Sequence, residues 1–500
     1  MPKPTIAFKP AAGAAVLLLA TAPGAWADLQ ATTIWEDWQE VYNRFGGTLG
    51  SEGLEYSGGV LTLTGVNYRT EFGGAVSTAT YGDIVMTEQD DGSVTIEVPS
   101  ESRSETTSED SGVTVDQVMV MQHDGLSIVA REDGAERVYD IAANGMTIDV
   151  ETVIQGAGDE TPPPNMVKIA LGALESVYRS GLGTDGQGFA QTFSTDTVTL
   201  ETEFDDGTNG MVTFSYVLDG VASDASGSYG EQPDGPIEGL SDMGLIYAGD
   251  MTHSGSTLAI AGTTPDGPLE MNGTSESGAI TFEVGEETLG YGLTSTGGDI
   301  TAQLPGFPLP VNVSMAEVAS AFTFPMGEPG TEKPFGLQMA LKDLVVDDAL
   351  WGLFDPTAQL PRDPATLVID MDGSAVMNVD IFGDPDAFAE LQGAPGVLKG
   401  VTLNELLLTV AGAELRGSGD LDFPNETPIP EPVGTINLAL DGGFGLVDKL
   451  VALGFVPAEQ AAFVKGMAGA VAKPVGEDQL ESTIEFTEGG GISANGLPLK

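Results

Sequence analysis

His123 and His253 are the only imidazoles in 500 residues, and the chain has no cysteine. Those two counts remove several chemistries at once. A histidine-based zinc site needs ligands paired on one face, as in H-E-x-x-H or H-x-H, and neither pattern occurs. A thiol nucleophile is impossible. A Ser-His-Asp triad needs a single imidazole, so the count alone permits it, but no G-x-S-x-G elbow is present to expose the serine. No serine stands three residues before a lysine, which removes the S-x-x-K nucleophile. Both histidines are therefore expected at surface or turn positions.

Carboxylates are the remaining candidates, and 75 of them guarantee chance pairs. Asp370 and Asp372 share one side of an expected strand that runs into an Asp372-Gly373 turn. Asp384 and Asp386 flank Pro385 at an expected helix start, where carboxylates serve as caps. Asp110-Ser111-Gly112 has the letters of an aspartic-protease motif without its apolar flanks. No run completes a calcium loop, which needs oxygen ligands at fixed steps and a closing glutamate. Gly181-Leu182-Gly183-Thr184-Asp185-Gly186 fits G-x-G-x-x-G, but it follows an expected helix and would turn Asp185 towards a phosphate. It is read as a helix C-terminus and turn. No Gly-Lys pair exists to build a Walker A loop. No catalytic, cofactor or metal-binding residue is assigned.

The charge balance narrows the partners. Eighteen Lys and Arg stand against 75 Asp and Glu, a formal net charge of −57. Such a surface repels nucleic acid and anionic headgroups. Its simplest role is hydration of an exported protein; capture of a cationic or divalent ligand is the sharper alternative. Hydrophobic residues make up 41% and the mean hydropathy is +0.04, so the apolar content is that of a folded chain.

The N-terminus reads as an address. Lys3 and Lys9 form a positive region, residues 11–22 are apolar around Val16-Leu17-Leu18-Leu19, and Pro23-Gly24 breaks the helix. Ala25-Trp26-Ala27 supplies the small-x-small pattern for cleavage between Ala27 and Asp28. The apolar run is short of the roughly 20 residues a bilayer span requires. Without cysteine, lipidation at the cut is excluded. The expected product, residues 28–500, is unanchored and located in the periplasm. Release to the medium is not excluded, although there is no C-terminal secretion signal and Lys500 stands where outer-membrane barrels end in an aromatic residue.

The elements that would position any site are mostly strands. Sixty-eight glycines and 30 prolines favour turns over long helices. Leu61 and Leu63 alternate with Thr62 and Thr64, and Val94, Ile96 and Val98 with Thr95 and Glu97. Val212, Phe214, Tyr216 and Leu218 share a face, as do Ile436, Leu438 and Leu440, and Ile484 and Phe486. Asp91-Gly92, Asn144-Gly145, Asp206-Gly207, Asp372-Gly373 and Asn495-Gly496 suit hairpins. Helices are expected over 33–45 (a stripe of Trp35, Trp38, Tyr42 and Phe45, capped by Thr32 or Thr33), 166–180, 337–354, 444–453 and 458–472, the last opened by Pro457. Residues 100–111, 161–164 and 223–236 read as loops, and 482–499 as a closing hairpin. The β-rich region divides loosely into 28–183, 184–354 and 355–500, without a strict repeat.

Three stretches carry a resemblance. They are W-G-L-F-D-P-T-A-Q-L-P-R-D-P-A-T-L-V-I-D from Trp351 to Asp370, A-G-A-E-L-R-G-S-G-D-L-D-F from Ala411 to Phe423, and S-T-I-E-F-T-E-G-G-G-I-S-A-N-G-L-P-L from Ser482 to Leu499. Together they resemble the domain-of-unknown-function 2125 family of exported bacterial proteins, over nearly the whole chain after the leader. The latter two also resemble AsmA-like and YdgA-like envelope proteins. The first family is uncharacterised and brings no catalytic residues. The AsmA-like resemblance implies a mainly β, α+β fold: an extensive curled antiparallel sheet with an apolar groove and helices at its ends or on its concave face. It also implies a part in lipid handling, although AsmA-like proteins usually keep a membrane anchor. The favoured function is thus a non-enzymatic envelope protein holding a lipid or other apolar ligand. An acidic interaction protein docking a basic partner and a carboxylate-based hydrolase are the alternatives.

Overall fold

The computed structural model describes residues 29–500 apart from 45, 73–74, 111–112, 156–164, 184–185, 206–209, 231–243, 265, 381–390, 392 and 425–430. Ala27, Asp28 and the rest of the leader lie outside the described residues, as do Asp206-Gly207, Asp384-Pro385-Asp386 and 161–164. Among the described residues the chain is mainly β: 29 strands form one sheet and every pairing is antiparallel. Four helices accompany it: α1 (Ala31–Arg44), α2 (Asp348–Phe354), α3 (Gly443–Ala452) and α4 (Ala458–Val471). Successive passes of the chain pair side by side, and the sheet continues across residues 183 and 354.

Many passes are broken near their middle into two collinear strands. Glu136–Ala143 is followed by Gly145–Gln155, Asn165–Leu171 by Leu174–Leu182, and Ile246–His253 by Gly255–Thr264. The breaks sit opposite one another, so they line up as a crease across the sheet. Gly65, Gly82, Gly125, Gly220 and Gly297 lie on this line with φ of 58°, 75°, 63°, 56° and 60°. That is left-handed backbone, which only glycine adopts without strain. Space is short there as well: a Cβ on Gly220 would stand 2.4 Å from Ser254 Oγ.

Burial beside the crease tells which face is inside. Ala143, Leu174, Thr195 and Val221 are cross-strand neighbours and all are buried, whereas the adjacent Ala142, Glu175, Ser194 and Ala222 are exposed. One face of a sheet becomes buried without a second layer when the sheet folds upon itself. The two arms therefore close around the face that carries Leu174 and Val221.

At the first strands α1 adds a lid over this inner face. Ile34 and Trp35 pack against Leu61, Leu63, Met86, Val94 and Ile96, with Trp38 and Tyr42 at the margin. Trp35, Trp38 and Tyr42 lie on the expected stripe, Phe45 is outside the described residues, and the cap differs. The helix starts at Ala31, whose N–H donates to Glu88 Oε1 at 3.0 Å, so a carboxylate from a distant strand replaces the expected threonine.

Several expected elements are different. Residues 166–180 form strands Asn165–Leu171 and Leu174–Leu182, not a helix, paired along both edges. Residues 337–354 are largely the strand Glu332–Val346, and only α2 is helical, capped by Asp347 accepting the Leu350 N–H. Residues 101–110 are a strand held between Ala75–Glu88 and Val113–Asp124 rather than a loop. Residues 223–228 belong to the strand Met211–Ser228. Asn144-Gly145 marks the crease and Asp372-Gly373 lies within the strand Ala365–Met377, so neither is a hairpin turn. Asp91-Gly92 and Asn495-Gly496 do turn the chain, and α3 and α4 fall where expected, with Pro457 before α4.

Candidate functional site

The inner face is built by period-two alternation carried from strand to strand. In one arm Ile280, Leu293, Ser320, Met339, Ile369 and Leu406 stand opposite one another in sequence across six strands. Beside them runs a second column of Phe282, Tyr291, Phe322, Leu337, Met371 and Leu403. On the reverse of the same strands stand Thr281, Gly292, Ala321, Gln338, Asp370 and Glu405. The other arm repeats the division. Ile148, Ile169, Leu200, Tyr216 and Leu258 form an inner column, with Asp149, Lys168, Glu201, Ser215 and Ala259 behind it.

Nothing among the described residues covers much of this apolar lining. Tyr291 and Leu293 keep 39% and 38% of their surface, and Met339 keeps 43%. Core side chains of a closed fold are nearly fully buried. Exposed apolar patches larger than a few hundred Å² are uncommon on monomeric proteins and mark binding sites where they occur.

An aromatic track follows one margin of the strip. Tyr139 and Tyr178 have ring centroids 6.0 Å apart; Phe189 lies 4.8 Å from Tyr229 and 6.4 Å from Tyr247, which is 6.0 Å from Phe282. Gly227 makes room for it, since a Cβ there would come within 2.6 Å of Phe189 Cζ. Burial pushes the Tyr178 phenol up, and its neighbour Tyr229 adds to the effect. Burial likewise raises Tyr81, helped by its hydrogen bond with Tyr42. Both phenols stay neutral at any physiological pH.

At the α1 end the groove narrows to a cavity of about 200 Å³. Trp38 and Tyr42 roof it, Ile84, Val98 and Ile128 come from one arm, and Met121 and His123 from the other. His123 Nε2 lies 2.9 Å from the Pro99 carbonyl oxygen, while its Nδ1 is buried without a partner. His253, also beside the crease, has Nδ1 2.9 Å from the Gly255 carbonyl oxygen. The two imidazoles are thus held by backbone at different strands, and they are more enclosed than the sequence reading expects.

The described residues of the other motif candidates lie on strands or between them. Asp370 and Asp372 do share a face, but it is the outer one. Asn404 Nδ2 donates to both, at 3.2 and 2.7 Å, at a bulge in the neighbouring strand. Gly181 lies in the strand Leu174–Leu182, and Gly183 and Gly186 lie between it and the strand Gly188–Asp205, not at the end of a helix; residues 184–185 are outside the described part. Asp110 ends a strand, and Ser111 and Gly112 are outside the described part. No group of three or more metal-ligating side chains occurs among the described residues. No helix of the described residues is long and apolar enough to cross a membrane.

The residue patterns show the alternation on single strands, whereas a groove is implied only by the AsmA-like resemblance. The signal that could have revealed it is the recurrence of glycine with Asn, Ser or Glu midway along successive passes, which marks the crease.

No curated protein and no solved structure matches the chain. A family model, described as an uncharacterized protein conserved in bacteria, matches residues 292–499. All three stretches that carry the resemblance fall inside that match, which is shorter than the expected span of nearly the whole chain. Over this region, which holds all three stretches, the chain is similar to the DUF2125 family.

Proposed function

We propose that this protein is an exported, non-enzymatic component of the cell envelope that holds a lipid or another long apolar ligand along its inner face. The supporting observation is the mainly apolar lining, interrupted by small residues such as Ser223, Ser320 and Gly417, that runs from the strands under α1 to the last strands of the chain, with the charged residues on the outside. The expected location is the periplasm, in keeping with the cleavable leader read over residues 1–27.

The energetics fit a chain-like ligand. Each lining residue is already more than half buried, so covering the remainder returns on the order of 1 kcal/mol. One such contact is negligible, but a ligand spanning five or six strands collects several. Affinity would then depend on apolar length rather than on a single polar anchor.

The test is lipid extraction and native mass spectrometry of gently purified protein. The expected result is co-purified lipid in the wild type and a marked loss in Leu293→Asp/Ile369→Asp, which places charge within the lining. A wild-type protein that carries nothing, and takes up no lipid from mixed micelles, would overturn the reading.

A further inference from the structure

We infer that the helical hairpin α3–α4 is a docking surface for a lipid bilayer. The surface departs from the rest of the molecule in both hydrophobicity and charge. On α4 the positions turned inward are Ala461, Lys465, Ala468 and Val471, at helical spacing. The opposite side is also apolar, yet it is open to solvent: Phe463 is 69% exposed, Val464 53% and Met467 51%. Phe455, in the turn between the helices, is 53% exposed. A helix that is apolar all round belongs in a core or in contact with lipid. Here one side has no protein against it among the described residues.

Charge identifies the occupant. The chain carries a formal −57, but residues 442–476 contain only Asp448 and Glu459 against Lys449, Lys465 and Lys473. Asp448 is paired with Lys465 at 2.6 Å. The nearby Asp478 carboxylate is turned onto the start of α3, where it accepts the N–H groups of Phe444 and Gly445, both at 2.8 Å. A strongly acidic protein is repelled by an anionic membrane over most of its surface. It can approach through a segment that lacks net negative charge, and lysines beside exposed aromatic and aliphatic side chains suit the headgroup boundary.

Placement gives the contact a purpose. The hairpin follows the strand Val433–Asp441, whose Ile436, Leu438 and Leu440 continue the inner lining, and it lies at the opposite end of the strand order from α1. A bilayer docked there would face the groove's final strands. That purpose rests on the lipid-holding reading; the docking itself does not.

The experiment is flotation of the full chain with vesicles of phosphatidylethanolamine and a minority of phosphatidylglycerol. The wild type is expected to float. Phe463→Asp/Met467→Asp changes two exposed positions, so it should keep the wild-type melting temperature while losing about tenfold or more in vesicle partition. Lys449→Glu/Lys473→Glu should weaken binding to these vesicles but not to purely zwitterionic ones. The groove variant Leu293→Asp/Ile369→Asp should still float, so failure of lipid holding leaves this result intact. The inference is overturned if the wild type does not float, or if the α4 variant floats equally well. It is also overturned if the α4 variant instead abolishes a concentration-dependent dimer in sedimentation, which would assign the surface to a second copy of the chain.

Discussion

Asp355 gives the most family-specific stretch a physical meaning. It is buried after α2, where Oδ1 accepts the Gln359 N–H at 2.9 Å and Oδ2 the Leu360 N–H at 2.8 Å. Burial works to raise its pKa, but those two donors and the Arg362 charge outweigh it and hold the carboxyl below the usual range. Around it Trp351 packs on Phe354 at 4.9 Å, and Arg362 lies over Trp351 and pairs with Asp348. The stretch is therefore folded as a knot around a buried carboxylate. Because the native pKa is depressed, the stabilisation is complete above the unfolded value of about 3.9 and is lost as pH falls through the native one. Asp355→Ala should lower the melting temperature at neutral pH, and its gap to the wild type should narrow below about pH 4. An equal gap at both pH values would mean that packing, not the carboxylate, carries the effect. A second residue-scale prediction concerns the crease. Gly220→Ala must hold an L-residue at φ 56° with its Cβ close to Ser254, and should cost about 1–3 kcal/mol in urea unfolding. Gly220→Ala/Ser254→Gly should recover the steric part and leave the backbone part.

At the scale of elements, the sequence was legible where one face is buried and the other wet. Leu61 and Leu63 read as one face of a strand, and both are fully buried beneath α1. It was ambiguous where both periods fit. Phe335, Leu337, Met339 and Leu341 alternate, but Leu337, Leu341 and Leu344 also fall at helical spacing, and pairing with distant strands decides for β. Residues 101–110 carry no apolar signal, because the strand is held by backbone bonding to neighbours on both sides. The inner columns were illegible for the same reason: their members are neighbours only after antiparallel registers spanning the chain are set. α1 is the exception, since its stripe announced a docked helix. Trp35→Ala removes a side chain only 4% exposed in the best-packed cluster and should cost about 3–5 kcal/mol. Hydrogen exchange should show the loss concentrated in α1 and the first strands, because the sheet passes stability mainly from neighbour to neighbour.

For the whole molecule, one sheet with an apolar inside and an acidic outside makes two demands that salt affects in opposite ways. Like charges on the outer face repel along and across strands, and this repulsion opposes the close approach of the two arms. Apolar burial at the crease and beneath α1 favours it. Raising sodium chloride from about 10 mM to about 1 M shortens the screening length from roughly 30 Å to roughly 3 Å, which removes most of the repulsion and leaves the apolar terms intact. The melting temperature should therefore rise by several degrees over that range, with most of the gain at the low end, where screening changes fastest in absolute distance. Vesicle flotation should respond differently. The lysines of the α3–α4 hairpin lose their attraction to phosphatidylglycerol as salt rises, while the exposed aromatic and aliphatic side chains do not. Binding should weaken with salt without vanishing, even as the fold becomes more stable. A melting temperature unmoved by salt would show that the acidic residues are too well hydrated or too far apart to load the fold, and that the charge serves solubility alone.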